Sequence, residues 1–450
     1  MLHDLIARYD RPVPRYTSYP TALHFGADVT PQIYGSWLEQ VSGAAPVSLY
    51  LHVPFCARLC LYCGCNTTAM RREAPLRAYA AALVAEIDMV AARMGRRAVS
   101  HVHWGGGTPG ALPADCLVAI MDRIRTRFDV LAEAEIAIEI DPTSLPATHL
   151  QALQAMGVTR ASLGVQDLEP SVQHAIGRVQ SYAQTEACAL ALRKIGVASI
   201  NLDLIYGLPL QTEDSVRRTA HQALGLLADR IAVFGYAHVP WMKRHQALIP
   251  EASLPGPDAR FAQSRVIDEV LRKDGYRVLG LDHYARPGDA LSIAVEQHGL
   301  RRSFQGYTTD QAPALVGLGA SAIGSLHQGY VQNAAQTPHY LRAIGEGHFA
   351  TVRGVILSDD DRLRRDVIER IMCDLDVDLD ALAAEHAADP APLREAAKAL
   401  ARYEQDDLVG SRGNRWTVTE AGRPFVRGVA SVFDTYLAQG AAVRRHAAGV

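Results

Sequence analysis

No stretch of this 450-residue chain approaches the roughly 18 consecutive apolar residues of a membrane-spanning helix. Its first residues, Met1 to Asp10, lack the apolar centre of a secretory signal. A cytoplasmic location without a membrane anchor is therefore expected. A basic excess is missing too, since 45 Lys and Arg stand against 48 Asp and Glu for a formal charge of −3. Without a basic block the chain offers little to a phosphate backbone or an anionic surface, and no nucleic-acid partner is expected. No internal repeat or low-complexity tract is present, which argues against a solenoid or a disordered scaffold. Cysteine is sparse, with seven in all. A chain of this length with no secretory signal has no need of a disulfide framework.

Those few cysteines are concentrated. Cys56, Cys60, Cys63 and Cys65 fall within ten residues, directly after an apolar run from Ser48 to Val53 that reads as a buried strand. Four thiolates can form a closed tetrahedral zinc site, but such sites usually draw on two separated pairs rather than one short loop. The first three thiols have C-x3-C-x2-C spacing, which resembles the motif of the radical S-adenosylmethionine (SAM) superfamily. There, three thiolates hold three irons of a [4Fe–4S] cluster and leave the fourth open to SAM. Cys116, Cys188 and Cys373 lie in apolar or helical surroundings and read as buried, inert thiols.

From about residue 46 to 285, strand-like and helix-like stretches alternate, the pattern of a parallel α/β structure. Strands are predicted at Val47–Val53, Val99–Trp104, Glu135–Ile140, Arg160–Val165, Ile200–Ile205 and Ile231–Tyr236. Helices are predicted at Leu76–Met94, Cys116–Phe128, His149–Met156, Tyr182–Ile195 and Asp214–Leu227. Six such units suit a partial (βα)6 barrel that binds ligands at the carboxyl ends of its strands. Residues 1–45 read as an arm, with Arg11–Pro20 extended and laid over something. Residues 46–350 read as the catalytic domain. Residues 355–450 read as a mainly helical, winged-helix-like domain. Its acidic balance disfavours DNA, so covering the substrate is the role expected of it.

Candidate ligands follow the strands. Gly105, Gly106, Gly107 and Thr108 form a turn where backbone can approach a ligand closely. Glu139 ends the third strand, Gln166 and Asp167 end the fourth, Arg178 is read on the helix after it, and Asp203 ends the fifth. Carboxylates and an arginine so placed are suited to ribose hydroxyls and a carboxylate.

End to end, the chain resembles the oxygen-independent coproporphyrinogen III oxidases. The resemblance rests on Arg15–Thr21, Tyr50–Cys56, Cys60–Asn66, Gly105–Pro109, Gly164–Asp167, Asp203–Pro209, Tyr236–His238, Asp282–Pro287 and Phe304–Thr309. It implies that Cys56, Cys60 and Cys63 ligate the cluster, and that Cys65 is typical of the family without being a ligand. Tyr50 would pack against SAM, with Gly106, Gly107, Thr108, Glu139, Gln166, Arg178 and Asp203 completing its site. A second SAM would touch Ala237 and Ile323, and the amino-terminal arm would approach the active site. Tyr50 and Cys65 are the catalytic candidates.

The implied reaction is decarboxylation of two propionates of coproporphyrinogen III to vinyl groups, begun by hydrogen abstraction and giving protoporphyrinogen IX. A flavodoxin- or ferredoxin-like electron donor and a monomer are implied as well. Arg15, Arg58, Lys243, Arg244, Arg286, Arg301 and Arg302 are candidates for holding propionates, and Asp282, His283 and Tyr307 for pyrrole nitrogens or protons. The nearest alternative is a haem chaperone of the same superfamily. Such chaperones have an aromatic residue where Cys65 stands and lack the Arg15–Thr21 arm.

Overall fold

The computed structural model describes residues 2–439. Strands β1 (Val47–Val53), β2 (Ala98–Gly106), β3 (Asp129–Ile140), β4 (Arg160–Gln166), β5 (Ser199–Tyr206) and β6 (Arg230–Gly235) run parallel, each paired with the next. Helices α1 (Glu73–Met94), α2 (Ala114–Arg127), α3 (Ala147–Met156), α4 (Tyr182–Lys194) and α5 (Glu213–Gly225) connect them. Capping boxes at Ser181/Gln184 and Thr212/Ser215 mark where α4 and α5 begin.

Strand alternation sorts the side chains into two environments. On β1, Leu49, Leu51 and Val53 are fully buried in the large apolar core, which α1 enters with Leu83, Ile87 and Val90. Each such side chain contributes about 1.5–3 kcal/mol of burial. Ser48, Tyr50 and His52 alternate with them and take the opposite face, which lines the inside of the curved sheet.

The sheet has twelve strands, not the six that periodicity suggested. Beyond β6 come β7 (Arg277–Leu279) and β8 (His283–Ala285), with β8 antiparallel to β6. At the other edge β9 (Leu315–Leu318) runs parallel to β1, and β10 (Ile323–Leu326), β11 (Gly329–Asn333) and β12 (Thr351–Ile356) continue antiparallel. These added strands are three to six residues long, too short for a periodic signal.

Past β12, a helix at Asp359–Asp374 and a three-stranded sheet of Asp376–Asp378, Val409–Arg412 and Arg415–Val418 build a second core. The amino-terminal segment is part of that core. Ile6, Tyr9, Tyr16 and Tyr19 are buried with Leu363, Val367 and Phe425, while Arg11–Pro20 carries no helix or strand. Among the described residues no helix is long and apolar enough to cross a membrane.

Candidate functional site

A cavity of about 600 Å³ opens at the carboxyl ends of the parallel strands. The loop that follows β1 forms one wall and carries Cys56, Cys60, Cys63 and Cys65 to it. Its backbone is held from several directions. Phe55 and Cys56 pair with Thr68 and Ala69, and the Leu61 N–H donates to the Ile176 carbonyl at 2.9 Å. From the segment after β6, Lys243, His245 and Gln246 reach the carbonyls of Cys65, Cys63 and Tyr62 at 2.9, 2.7 and 2.8 Å. A loop without regular structure is thus fixed by side chains nearly two hundred residues away. Lys243, a candidate for propionates on sequence grounds, is engaged here in holding the cysteine loop.

The thiols have donors suited to thiolates. Thr67 donates to Cys56 Sγ at 3.3 Å, Thr108 Oγ1 lies 3.6 Å from the same sulfur, and Arg178 Nη1 lies 3.6 Å from Cys60 Sγ. The Cys63 thiol is pulled down to about 7, first by its hydrogen bond with Cys65 and also by Lys243 and Arg178. Burial raises the Cys56 thiol in spite of its two hydroxyl partners. Three soft donors on one wall, with hydroxyl and guanidinium groups beside their sulfurs, fit a thiolate-held iron–sulfur group. Among the described residues no three His, Cys, Asp or Glu side chains close on a single ion position.

The glycine turn lies against this wall. Gly106 has φ +113°, and a Cβ there would sit 2.8 Å from the His52 imidazole. A Cβ on Gly107 would sit 2.5 Å from the Phe55 carbonyl oxygen and from Thr67 Oγ1. Both positions therefore need glycine. The Gly106 N–H donates to Glu139 Oε2 at 3.1 Å, so Glu139 fastens the turn as well as lining the cavity. Tyr50 lies just below. Its hydroxyl lies 3.0 Å from His52 Nδ1, whose Nε2 lies 3.0 Å from the Asn66 carbonyl oxygen. With Nε2–H donating to that carbonyl, Nδ1 accepts from Tyr50. The Tyr50 ring stacks on His103 at 5.8 Å.

Arg178 is on a loop, not on the helix where the sequence reading placed it. The short helix Pro170–Ala175 stops before Gly177, whose φ is +66°, and the chain turns inward. Arg178 then donates to the Gly164 carbonyl at 2.7 Å and pairs with Asp141 at 3.2 Å, while its buried Nε has no partner. Gln166, which also lines the cavity, holds a left-handed φ of +68° at the end of β4. Such strain in a non-glycine residue is often found where function requires it. Asp203 accepts from Ser162 at 2.9 Å and Asn201 at 2.8 Å, and burial pushes its carboxyl up to about 6. It lies within β5 rather than at its end, because the strand continues to Tyr206.

Asp167 points elsewhere. Fully buried, it accepts from Gln211 at 2.5 Å and Thr219 at 2.9 Å and ties β4 to the helix after β5. Ala237 lines the cavity, whereas Ile323 packs on β10 with Phe304 and Tyr330. The Tyr307 hydroxyl is committed to backbone, donating to the Met372 carbonyl at 2.7 Å and accepting from the Leu281 N–H at 3.0 Å. Of the proposed propionate cations, Arg286 pairs with Asp274 and Arg301 with Glu369.

The polar floor of the cavity is absent from the sequence reading. Glu135 and Arg160 pair at 2.9 Å, Arg230 and Asp289 at 2.8 Å, and His101 and Asp310 at 3.1 Å. Burial acts to raise Glu135, but Arg160 outweighs it and holds the carboxyl down to about 2. The signal was available, since His101-x-His103 and Ser48-x-Tyr50-x-His52 repeat with the two-residue period of one strand face.

The chain matches known proteins along its length. Residues 50–223 match the radical SAM superfamily and residues 357–425 the HemN C-terminal domain. The chain is 48% identical to an oxygen-independent coproporphyrinogen III oxidase of Bradyrhizobium diazoefficiens, over 98% of each chain. It is 39% identical to the one of Escherichia coli (strain K12), over 98% of this chain and 96% of that one. The solved structure of coproporphyrinogen III oxidase (HemN) from Escherichia coli, described as a radical SAM enzyme, superposes with a TM-score of 0.90. There the identity is 38%, covering 94% of this chain and 97% of that one.

Proposed function

The chain belongs to the oxygen-independent coproporphyrinogen III oxidases of the radical SAM superfamily, and from that premise we propose that it converts two propionate side chains of coproporphyrinogen III to vinyl groups without oxygen. A [4Fe–4S] cluster and SAM are the cofactors the superfamily implies. Once bound, they supply a one-electron reduction and a carbon radical that removes a hydrogen atom from the β-carbon of a propionate. Loss of CO₂, with the remaining electron passing to a one-electron acceptor from outside the chain, would leave the vinyl group.

The observation that carries this reading is convergence. Three thiols from the loop after β1, the glycine turn after β2, Glu139 of β3, Gln166 of β4, Arg178 and Asp203 of β5 all line one cavity. Cys56, Cys60 and Cys63 would hold the cluster. Gly106, Gly107 and Thr108 would offer backbone groups to the amino-acid end of SAM, and the unpartnered Nε of Arg178 suits its carboxylate. Glu139, Gln166 and Asp203 would take ribose and nearby polar groups. Tyr50, oriented by His52, would pack beneath SAM, and Cys65, at the cavity beside Cys63, would stand near the reacting side chain. A second SAM would reach Ala237, with Ile323 behind it. The enclosing walls would keep water from the radical.

We also assign an arm to residues 1–45, a catalytic domain to 46–350 and a covering domain to 355–450. The protein would act in the cytoplasm as a monomer and draw electrons from a flavodoxin- or ferredoxin-like protein.

The test is anaerobic incubation of the cluster-reconstituted protein with SAM, a reductant and coproporphyrinogen III, with porphyrinogens separated by chromatography. Protoporphyrinogen IX from the wild type, and none from Cys60→Ala, is expected. Unchanged vinyl formation in Cys60→Ala would remove the cluster from the reaction.

A further inference from the structure

A second cavity of about 100 Å³ adjoins the first. Arg15, Gly235 and Tyr236 line both, so the smaller space is an annex behind the carboxyl end of β6. Its walls come from the amino-terminal arm (Arg15), the helix Pro257–Lys273 (Arg260) and the carboxy-terminal domain (Arg427).

The annex concentrates positive charge. Arg272 is matched by Asp268 and Glu420, and Arg423 by Glu420. Arg15 and Arg260 form no ion pair with a carboxylate of the described residues, and the buried Arg260 Nε has no hydrogen-bond partner. Arg15 Nη2 donates to the Gly235 carbonyl at 2.9 Å, and Arg427 donates to the carbonyls of Val13 and Pro14. Behind Arg15, Arg302 donates to its carbonyl at 3.2 Å and holds an unpartnered, buried Nη1 3.9 Å from Asp282. That carboxylate is already engaged by His283 at 2.7 Å. Arg427 is buried, which lowers its pKa, and its proximity to Arg15 and Arg302 adds to that, while Arg15, shared by both cavities, stays exposed to solvent.

Gathering like charges around a small, partly enclosed space is costly unless an anion joins them. The passage to them is kept open by Gly235, where a Cβ would sit 3.0 Å from the Tyr206 hydroxyl and 3.2 Å from Arg260 Nη2. The floor of the main cavity, by contrast, has its cations matched by Glu135 and Asp289.

Building on the function proposed above, we propose that the annex seats the carboxylate of a propionate that is not undergoing decarboxylation, with Arg15 and Arg260 as its guanidinium ligands. Coproporphyrinogen III carries four propionates and only two are converted, so the tetrapyrrole needs anchors away from the radical. Arginine is suited to this, because its fork matches a carboxylate and stays charged when buried. An anchor shared by arm, catalytic core and carboxy-terminal domain would couple binding of the substrate to closure around it.

The test is equilibrium ultrafiltration of coproporphyrinogen III with anaerobic protein in the absence of reductant, the retained tetrapyrrole being oxidised and read by fluorescence. Arg260→Gln and Arg15→Gln should each weaken retention about tenfold to a hundredfold, the usual worth of a hydrogen bond to a charged group. Arg260→Lys should recover part of it. Because the substitutions relieve repulsion, both Gln variants should melt no lower than the wild type. Retention by both Gln variants equal to that of wild type overturns the annex and leaves the proposed function standing. The same holds if inorganic phosphate raises the melting temperature of wild type but not Arg260→Gln while tetrapyrrole retention is equal in both, since the site then takes inorganic anions only. No retention by wild type removes the proposed function, and the annex with it.

Discussion

Asp203 holds a charge that burial opposes. Two donors, Ser162 and Asn201, face it, yet its carboxyl stays at about 6. Since the folded value is raised, the acid takes up its proton as pH falls through 6 and the cavity then loses a negative charge. SAM affinity is expected to be level above about pH 7 and to weaken by at most about tenfold per pH unit below 6. Asp203→Asn should bind SAM more weakly at pH 8 and lose this pH dependence. Equilibrium dialysis of SAM between pH 5 and 8 reads both. Residues of this kind were legible because carboxylates within apolar strands stand out. Arg260 and Arg427 were not, because an arginine on a helix looks like surface charge until the fold turns it inward.

The elements around the site carry two further consequences. The cysteine loop has no fold of its own and depends on Lys243, His245 and Gln246. Gln246→Ala or Lys243→Ala should lower the iron and acid-labile sulfide retained per chain several-fold, with the far-ultraviolet circular dichroism unchanged.

On α1, Glu86 is fully buried. It accepts from the Gly319 N–H at 2.7 Å, Asn333 at 2.7 Å and Tyr340 at 2.8 Å, and burial still pushes its carboxyl up to about 7. A raised carboxyl favours the fold when protonated. Its contribution is complete below about pH 4.5 and is lost as pH rises through 7, at no more than about 1.4 kcal/mol per unit. Glu86→Gln should flatten that decline, so that urea midpoints at pH 5 and pH 8 lie closer together than in the wild type. The main strands and helices were read to within about three residues because they are long and alternate cleanly, except that β3 begins at Asp129, six residues before the predicted Glu135, in a stretch whose exposed residues break the alternation. The short edge strands carried too few residues for any period, and the position of Arg178 depended on a glycine stop.

At the scale of the molecule, the arm and the carboxy-terminal domain share one core. The Tyr16 hydroxyl bonds Asp434 at 3.0 Å and Tyr9 bonds Asp406 at 2.6 Å, while Ile6 and Tyr19 are buried among the carboxy-terminal helices. Each of those side chains stabilises by about 1.5–3 kcal/mol on burial. Deleting residues 1–20 should therefore open the carboxy-terminal domain to limited proteolysis while the α/β barrel stays resistant. The sequence pattern showed an extended segment laid on something, but contacts some four hundred residues apart leave no local trace.

The central claim is that hydrogen abstraction on this scaffold leads to decarboxylation of propionates. Counting 5′-deoxyadenosine against vinyl groups in one anaerobic reaction tests it most directly. One deoxyadenosine for each vinyl group, and two for each protoporphyrinogen IX, is the predicted result. A cluster-bearing protein that cleaves SAM, forms no vinyl group and binds haem tightly instead would contradict it.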